Sequence, residues 1–333
     1  MRSRLVILVV LVAACAPGAA TSTTGPTSSL ANDPPPTTTV ATTTLVTTTT
    51  STVASTPSTG FEEMAVDGLV TAAGVVVAVL DQVSNGYLVR APCGDEVIVT
   101  DGTPIGGVRV VLDPGHGGEV DTGAVGANGL MERSLNLTVA QAVEAKLIVR
   151  GIPVVLTRTG PYASLLGTRT ALADHLGADL LLSIHHNAPT PGPSALPGTE
   201  VFIQHESADS RRLGGLVWQH VVQALSRFDV SWTAAPDAGV LSVLSTRGND
   251  AYGINRSPVT VSVLAELGYI SNPAEAELFA TDAYVEAAAE ALADAVEAYL
   301  STDDSGSGFI AEPRVFNPQP GIGGASCVGP VLE

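Results

Sequence analysis

The feature that most constrains this chain is a buried-strand pattern running straight into a glycine-rich turn. Residues 108–118 read VRVVLDPGHGG. Val108, Val110, Val111 and Leu112 are β-branched or aliphatic, the composition of a buried strand. Asp113-Pro114-Gly115 then supplies the chemistry of a tight turn, with His116, Gly117 and Gly118 directly behind it. In an open α/β sheet ligands sit at the carboxyl ends of strands, so the imidazole of His116 is expected on the working edge. A lone histidine in such a turn is more often structural than functional, and the rest of the chain has to decide.

Downstream, strand and helix patterns alternate. Residues 130–149 carry an apolar helical stripe at Leu135, Val139, Val143 and Leu147, closed by Gly151. Strands are expected at 153–157, 179–185 (DLLLSIH), 199–204 and 259–266, and helices at 164–176, 210–228 and 282–300. Residues 229–257, rich in Gly, Ser, Asn and Asp, read as an irregular insertion around a short strand at 240–244. The alternation predicts an α/β fold, a mainly parallel twisted sheet with helices on both faces, spanning a catalytic domain of residues 107–300. Residues 61–106 read as a small β region preceding it, with strands at 75–80, 87–90 and 97–100 separated by turn residues. A core that small is expected to lean on its neighbour. The Gly- and Pro-rich tail, 301–333, is expected to be extended.

The first 60 residues are different in kind. Arg2 and Arg4 precede an apolar run and Ala13-Ala14, the pattern of an export signal over residues 1–14. Val12-Ala13-Ala14-Cys15 resembles a bacterial lipoprotein box, which implies acylation of Cys15 and a membrane anchor. Cleavage near Ala19-Ala20 is the alternative and would leave a secreted protein. Residues 15–60 are largely Thr, Ser and Pro, with too few bulky apolar groups for a core, and are expected to form a disordered stalk. Both outcomes place the protein outside the cytoplasm.

Charge and cysteine content narrow the chemistry. A formal net charge of −18 without a basic stripe argues against nucleic acid as a partner. The three cysteines, Cys15, Cys93 and Cys327, form no CxxC pair, so any metal must be held by His and carboxylate. With Cys15 acylated, Cys93 and Cys327 remain as a single pair in an oxidising compartment and are expected to form a disulfide, the alternative being two unpaired thiols. Such a bridge would clip the tail to the small β region.

Four residues then stand out at the ends or edges of elements: His116, Glu132, His185 and Glu266. Glu132 opens a helix, where an acid is expected on dipole grounds alone. His185 ends an apolar strand and reads equally as a satisfied buried imidazole. Glu266 is less easily explained, because an ionised acid inside VSVLAELGYI is costly unless paired or bound to metal. Two His and one Glu with an open position form the ligand set of a hydrolytic zinc site, and a further Glu supplies a base.

Residues 108–300 resemble the zinc-dependent N-acetylmuramoyl-L-alanine amidases of bacterial cell-wall metabolism. In order, the matching blocks are LDPGHGG (112–118), Glu132 with Leu135-Asn136-Leu137, VVLTR (154–158), Arg169, SIHHN (183–187) and AELGYISNPAEAELF (265–279). The resemblance implies one zinc ion per chain on His116, Glu132 and His185, with Glu266 as the catalytic glutamate. It implies peptidoglycan as the substrate, cut between N-acetylmuramic acid and the first L-alanine of the stem peptide. Arg169, His186 and Asn187 are the candidate substrate-binding residues. His186 departs from the family, which usually has a small residue there; as the strand neighbour of His185 it should face away from the metal. His175, His205 and His220 are expected on the surface. A wall-binding lipoprotein that keeps the fold without turnover is the alternative reading, and dependence on a protein activator is compatible with the enzyme.

Overall fold

The computed structural model describes residues 66–333 apart from Thr190 and Pro320. The export signal, Cys15 and the stalk lie outside the described residues. Five short strands open the described part: β1 (Gly68–Thr71), β2 (Val76–Val83), β3 (Gly86–Arg90), β4 (Glu96–Val99) and β5 (Gly102–Ile105). They form an antiparallel sheet in the order β4-β3-β2-β1-β5. Leu69, Val77, Val79, Val89 and Val99 make its own core. The alternate side chains of β2, Val76 and Ala78, instead join a core shared with the larger unit. The small sheet therefore leans on its neighbour through one face of β2, with Val70 of β1 and Ile105 of β5 packed against the same core.

The larger unit follows in chain order. It contains β6 (Val110–Pro114), α1 (Glu132–Val149), β7 (Val154–Leu156), α2 (Leu166–His175), β8 (Leu180–Asn187), β9 (Gly192–Ser194), β10 (Glu200–Ile203) and α3 (Ala208–Leu225). It continues through β11 (Trp232–Ala234), β12 (Val240–Leu244), α4 (Gly253–Arg256), β13 (Ser262–Tyr269), α5 (Pro273–Phe279), α6 (Asp282–Ser301) and β14 (Arg314–Val315). Seven strands form the central sheet in the order β14-β12-β10-β13-β8-β6-β7. All neighbours are parallel except β10 and β13. Strands β9 and β11 pair separately.

Strand alternation assigns each side chain to a face. Val110 and Leu112 of β6, Leu180, Leu182 and Ile184 of β8, and Val263, Ala265 and Leu267 of β13 point to the layer of α1, α3 and α6. Val111, Leu181 and Leu264 point the other way, onto α2, α4 and β2. The stripe of α1 is buried at Leu135, Val139, Val143 and Leu147, and Gly151 closes the helix in the left-handed region (φ +72°). Along its exposed edge, Lys146 and Arg150 pair with Glu286, Glu290, Asp294 and Glu297 of α6.

Three sequence expectations are corrected here. Residues 229–257 are not simply an irregular insertion, because β12 is built into the central sheet beside β10. The tail is not merely extended, because β14 adds an edge strand parallel to β12; the expected Cys93–Cys327 disulfide is present. The last long strand also starts later and runs further than expected, so Glu266 lies within β13 and not at its end.

Candidate metal centre

The site is built at the carboxyl ends of β6 and β8, where α1 begins. The turn after β6 places His116 in the left-handed region (φ +62°), the only non-glycine residue there among the described residues. Such a conformation persists when its surroundings hold it. Here two buried arginines do so. Arg158 donates to the carbonyls of Pro114 and Gly115, both at 2.9 Å, and Arg169 donates to those of Pro114 at 2.8 Å and His116 at 2.7 Å. Asp113 anchors the same region, accepting from Arg169 (3.0 Å), Thr157 (2.6 Å) and Ser183 (2.7 Å). Burial opposes its charge, but Arg169 and the two hydroxyls outweigh burial and hold the carboxyl below its ordinary value.

His116, Glu132 and His185 each bring a donor atom into one cluster, all within 4.8 Å of one another. Oε1 of Glu132 lies 3.2 Å from His116 Nε2 and 3.0 Å from His185 Nδ1. The other carboxylate oxygen accepts the Ala124 N–H at 2.8 Å, which fixes the side chain. Asp121 takes the second nitrogen of His116 at 2.6 Å, fixing the ring as outer carboxylates do for metal-binding histidines. Two glycines make room. A Cβ on Gly115 would sit 2.2 Å from the His185 ring, and one on Gly123 would sit 2.6 Å from Glu132. Burial disfavours a charge on His116, yet the hydrogen bonds to Asp121 and Glu132 overcome it and raise the imidazole to about 10. Burial likewise opposes the Glu132 carboxylate, but the two histidines hold it well below its ordinary value. The pocket favours positive charge.

Glu266 pairs in register with His185 on one side and with Glu200 on the other, and it lines the same cleft. Its Oε2 is buried without a hydrogen-bond partner. Burial first, then the charges of Glu132 and Glu200, pushes its carboxyl well above its ordinary value. A buried carboxylate oxygen with no partner, beside two histidines and a carboxylate, fits a group that acts on a polar molecule entering the cleft. The donor set itself, two imidazoles and one carboxylate with room beside them, fits zinc.

The other expected site residues divide. Asn187 lines the cleft, and its amide donates to Glu200 at 2.7 Å. Arg169 also lies at the cleft, but its guanidinium is taken up by Asp113 and by the carbonyls of Ser164, Pro114 and His116. These bonds give it a positioning role at the turn that carries His116. His186 is the strand neighbour of His185. It faces away from His185, is 1 % exposed, and has both ring nitrogens engaged, with Asn136 at 2.7 Å and Tyr284 at 2.5 Å. Burial lowers it to about 3, so it is neutral. Asn136 passes the contact on, donating to Glu132 at 3.3 Å. His186 thus supports a member of the cluster from behind.

Sequence reasoning missed Asp121, Asn136, Arg158 as a clamp, and Glu200. Asn136 stands within a matched block, and Asp121 follows His116 by five residues. Nothing in the sequence singles out Glu200, which is fully buried behind Glu266. The cleft holds about 450 Å³ and also draws in Tyr252 and tail residues.

A family model for N-acetylmuramoyl-L-alanine amidase matches residues 110–298. The chain is 36 % identical over 197 residues to the uncharacterized protein YqiI of Bacillus subtilis, covering 59 % of this chain and 84 % of that one. It is 32 % identical over 205 residues to the N-acetylmuramoyl-L-alanine amidase AmiA of Salmonella typhimurium, covering 52 % and 70 %. Among solved structures, Cwp6 from Clostridium difficile matches with a TM-score of 0.52 at 27 % identity, over 59 % of this chain and 30 % of that one. The catalytic domain of CwlV, an N-acetylmuramoyl-L-alanine amidase from Bacillus (Paenibacillus) polymyxa, matches with a TM-score of 0.50 at 27 % identity, over 59 % and 99 %. The match takes in every member of the cluster and Glu266, and on it the chain belongs to the N-acetylmuramoyl-L-alanine amidase family.

Proposed function

We propose that this protein is a zinc-dependent hydrolase of the amide bond between N-acetylmuramic acid and L-alanine in peptidoglycan, acting outside the cytoplasm. The observation that carries the reading is the convergence of His116, Glu132 and His185 beside the unpartnered carboxylate oxygen of Glu266. His116, Glu132 and His185 would hold the ion, one per chain. Bound there, zinc supplies a Lewis acid for the amide carbonyl and acidifies water. Glu266 takes the proton from the attacking water and returns it to the nitrogen of the departing amine. Burial suits it to that exchange, because a carboxyl raised toward neutrality is a better base once ionised and a usable acid afterwards. Asp121 and the Asn136–His186–Tyr284 chain keep His116 and Glu132 in place through the cycle.

Metal analysis of the purified protein, paired with mass analysis of digested muropeptides, tests the reading. Stoichiometric zinc and release of intact stem peptides are expected, and chelation should abolish release. Glu266→Gln should keep its zinc and lose about two or more orders of magnitude in turnover. An active protein without metal, or a Glu266→Gln variant with full activity, would overturn the mechanism. A zinc-loaded protein that binds peptidoglycan but releases nothing would favour the binding-protein alternative.

The pattern at Val12-Ala13-Ala14-Cys15 supports anchoring through a lipidated Cys15, with residues 15–60 as the stalk between membrane and catalytic domain.

A further inference from the structure

The tail forms one wall of the catalytic cleft, although it lies beyond the residues that match the family. After α6 the chain crosses back along the sheet edge as β14 and turns across the cleft mouth. Arg314 fastens it there, pairing with Asp237 at 2.7 Å and with the buried Glu200, the cross-strand neighbour of Glu266. Beyond that anchor Phe316, Pro318, Gln319, Gly321 and Ile322 line the same cleft as His116, His185 and Glu266. The Cys93–Cys327 disulfide holds the far end.

Phe316 is 47 % exposed, and the exposure is supported from below. Its ring centroid lies 6.3 Å from that of Tyr252, which stacks on Phe202 at 5.1 Å and 7°. An aromatic surface held up by a stacked pair, at the edge of a hydrolytic cleft, is built to meet a flat apolar face. None of the five tail residues on the wall carries a charge. A stem peptide offers carboxylates, for which this wall has no counter-charge. A pyranose ring offers a flat C–H face and neutral N-acetyl groups, which match Phe316 and the amide of Gln319.

We propose that the tail wall is a saccharide subsite, with Phe316 packing on a sugar ring of the glycan strand adjoining the muramic acid at the metal centre. The assignment rests on the amidase reading, and it makes the length of glycan a determinant of this chain's specificity. The stem peptide is then left to the opposite side of the cleft.

The test uses the full mature protein, wild type and Phe316→Ala, with two substrates bearing one stem peptide: a single-sugar muramoyl peptide and a glycan of four sugars. Phe316→Ala should lower kcat/KM on the four-sugar substrate about 3- to 10-fold through KM, as loss of one aromatic contact predicts. It should leave the single-sugar substrate unchanged, and Phe316→Trp should restore the preference. Equal losses on both substrates, or no loss on either, would overturn the subsite. Binding of peptide-free glycan oligomers is measured in parallel by calorimetry. If the wild type hydrolyses neither substrate yet binds these oligomers through Phe316, the amidase reading falls while the saccharide wall stands. Hydrolysis without Phe316-dependent glycan binding sinks the wall and keeps the amidase.

Discussion

Gly115 shows how much the centre depends on a missing side chain. Its backbone is in a region any residue adopts, so alanine there meets no left-handed penalty. The obstacle is contact: the new Cβ would lie 2.2 Å from the His185 ring, a distance real carbons never show. His185 must move, and with it one of the three donor atoms. Gly115→Ala is therefore expected to fold with unchanged circular dichroism and to lose stoichiometric metal; retention of both metal and activity would show that the ring has slack. The residue scale is also where the sequence reaches furthest. Glu266 is legible as an acid that a buried strand does not otherwise explain, whereas His116, Glu132 and His185 each have an ordinary local explanation and stand out only through the ordered blocks of the family resemblance. What Arg169 and His186 touch is not legible there, although both lie in or beside those blocks. A one-dimensional reading knows which residues are near in sequence. It does not know that the donors of Arg169 are committed to carbonyls or that His186 is sealed against Phe279 and Tyr284.

Among the elements, the two-residue strand β14 matters more than its length suggests. It carries Arg314, whose guanidinium pairs with Glu200 and Asp237. Glu200 is wholly buried, with Asn187 and Tyr269 as its other partners. Removing one partner of a buried ion pair leaves the other charge without compensation, which costs more than the pair contributed. Arg314→Ala should destabilise the protein by roughly 2–4 kcal/mol, scaled down from a fully buried pair because Arg314 is partly exposed. Urea unfolding of the variant against wild type measures it, and a shift under about 0.5 kcal/mol would mean that solvent replaces the guanidinium. Long elements with a clear period, such as α1 and α6, were legible because burial writes its spacing into them. β14 was not, since two residues carry no period. β12 was seen as a strand, but a strand of five residues does not announce which sheet it joins.

At the scale of the whole molecule, the cysteines divide the labour. Cys93 and Cys327 tie the small β region to the tail across 234 residues. Closing a loop of that size in the unfolded chain contributes roughly 5 kcal/mol in the entropy model, an upper figure because residual structure reduces it. The lipid proposed for Cys15 leaves this pair intact. Peptide mapping of protein from its native envelope should give a linked Cys93–Cys327 peptide and an acylated Cys15, and Cys15→Ser should release the protein from the membrane. Unchanged membrane association and an unchanged intact mass would refute the anchor. By itself the sequence determined the α/β class and the family resemblance over residues 108–300, and with it the four residues, His116, Glu132, His185 and Glu266, on which the proposed chemistry rests. The class follows from periodicity and turn chemistry, Glu266 also from a costly acid in an apolar run, and the other three groups from the ordered blocks of the resemblance. Only the tertiary structure decided that β12 joins the central sheet beside β10, that β14 extends that sheet, and that the tail beyond it lines the cleft. Their contacts join residues far apart in sequence, such as Arg314 with Glu200, and no spacing along the chain encodes a contact that depends on how separate elements pack.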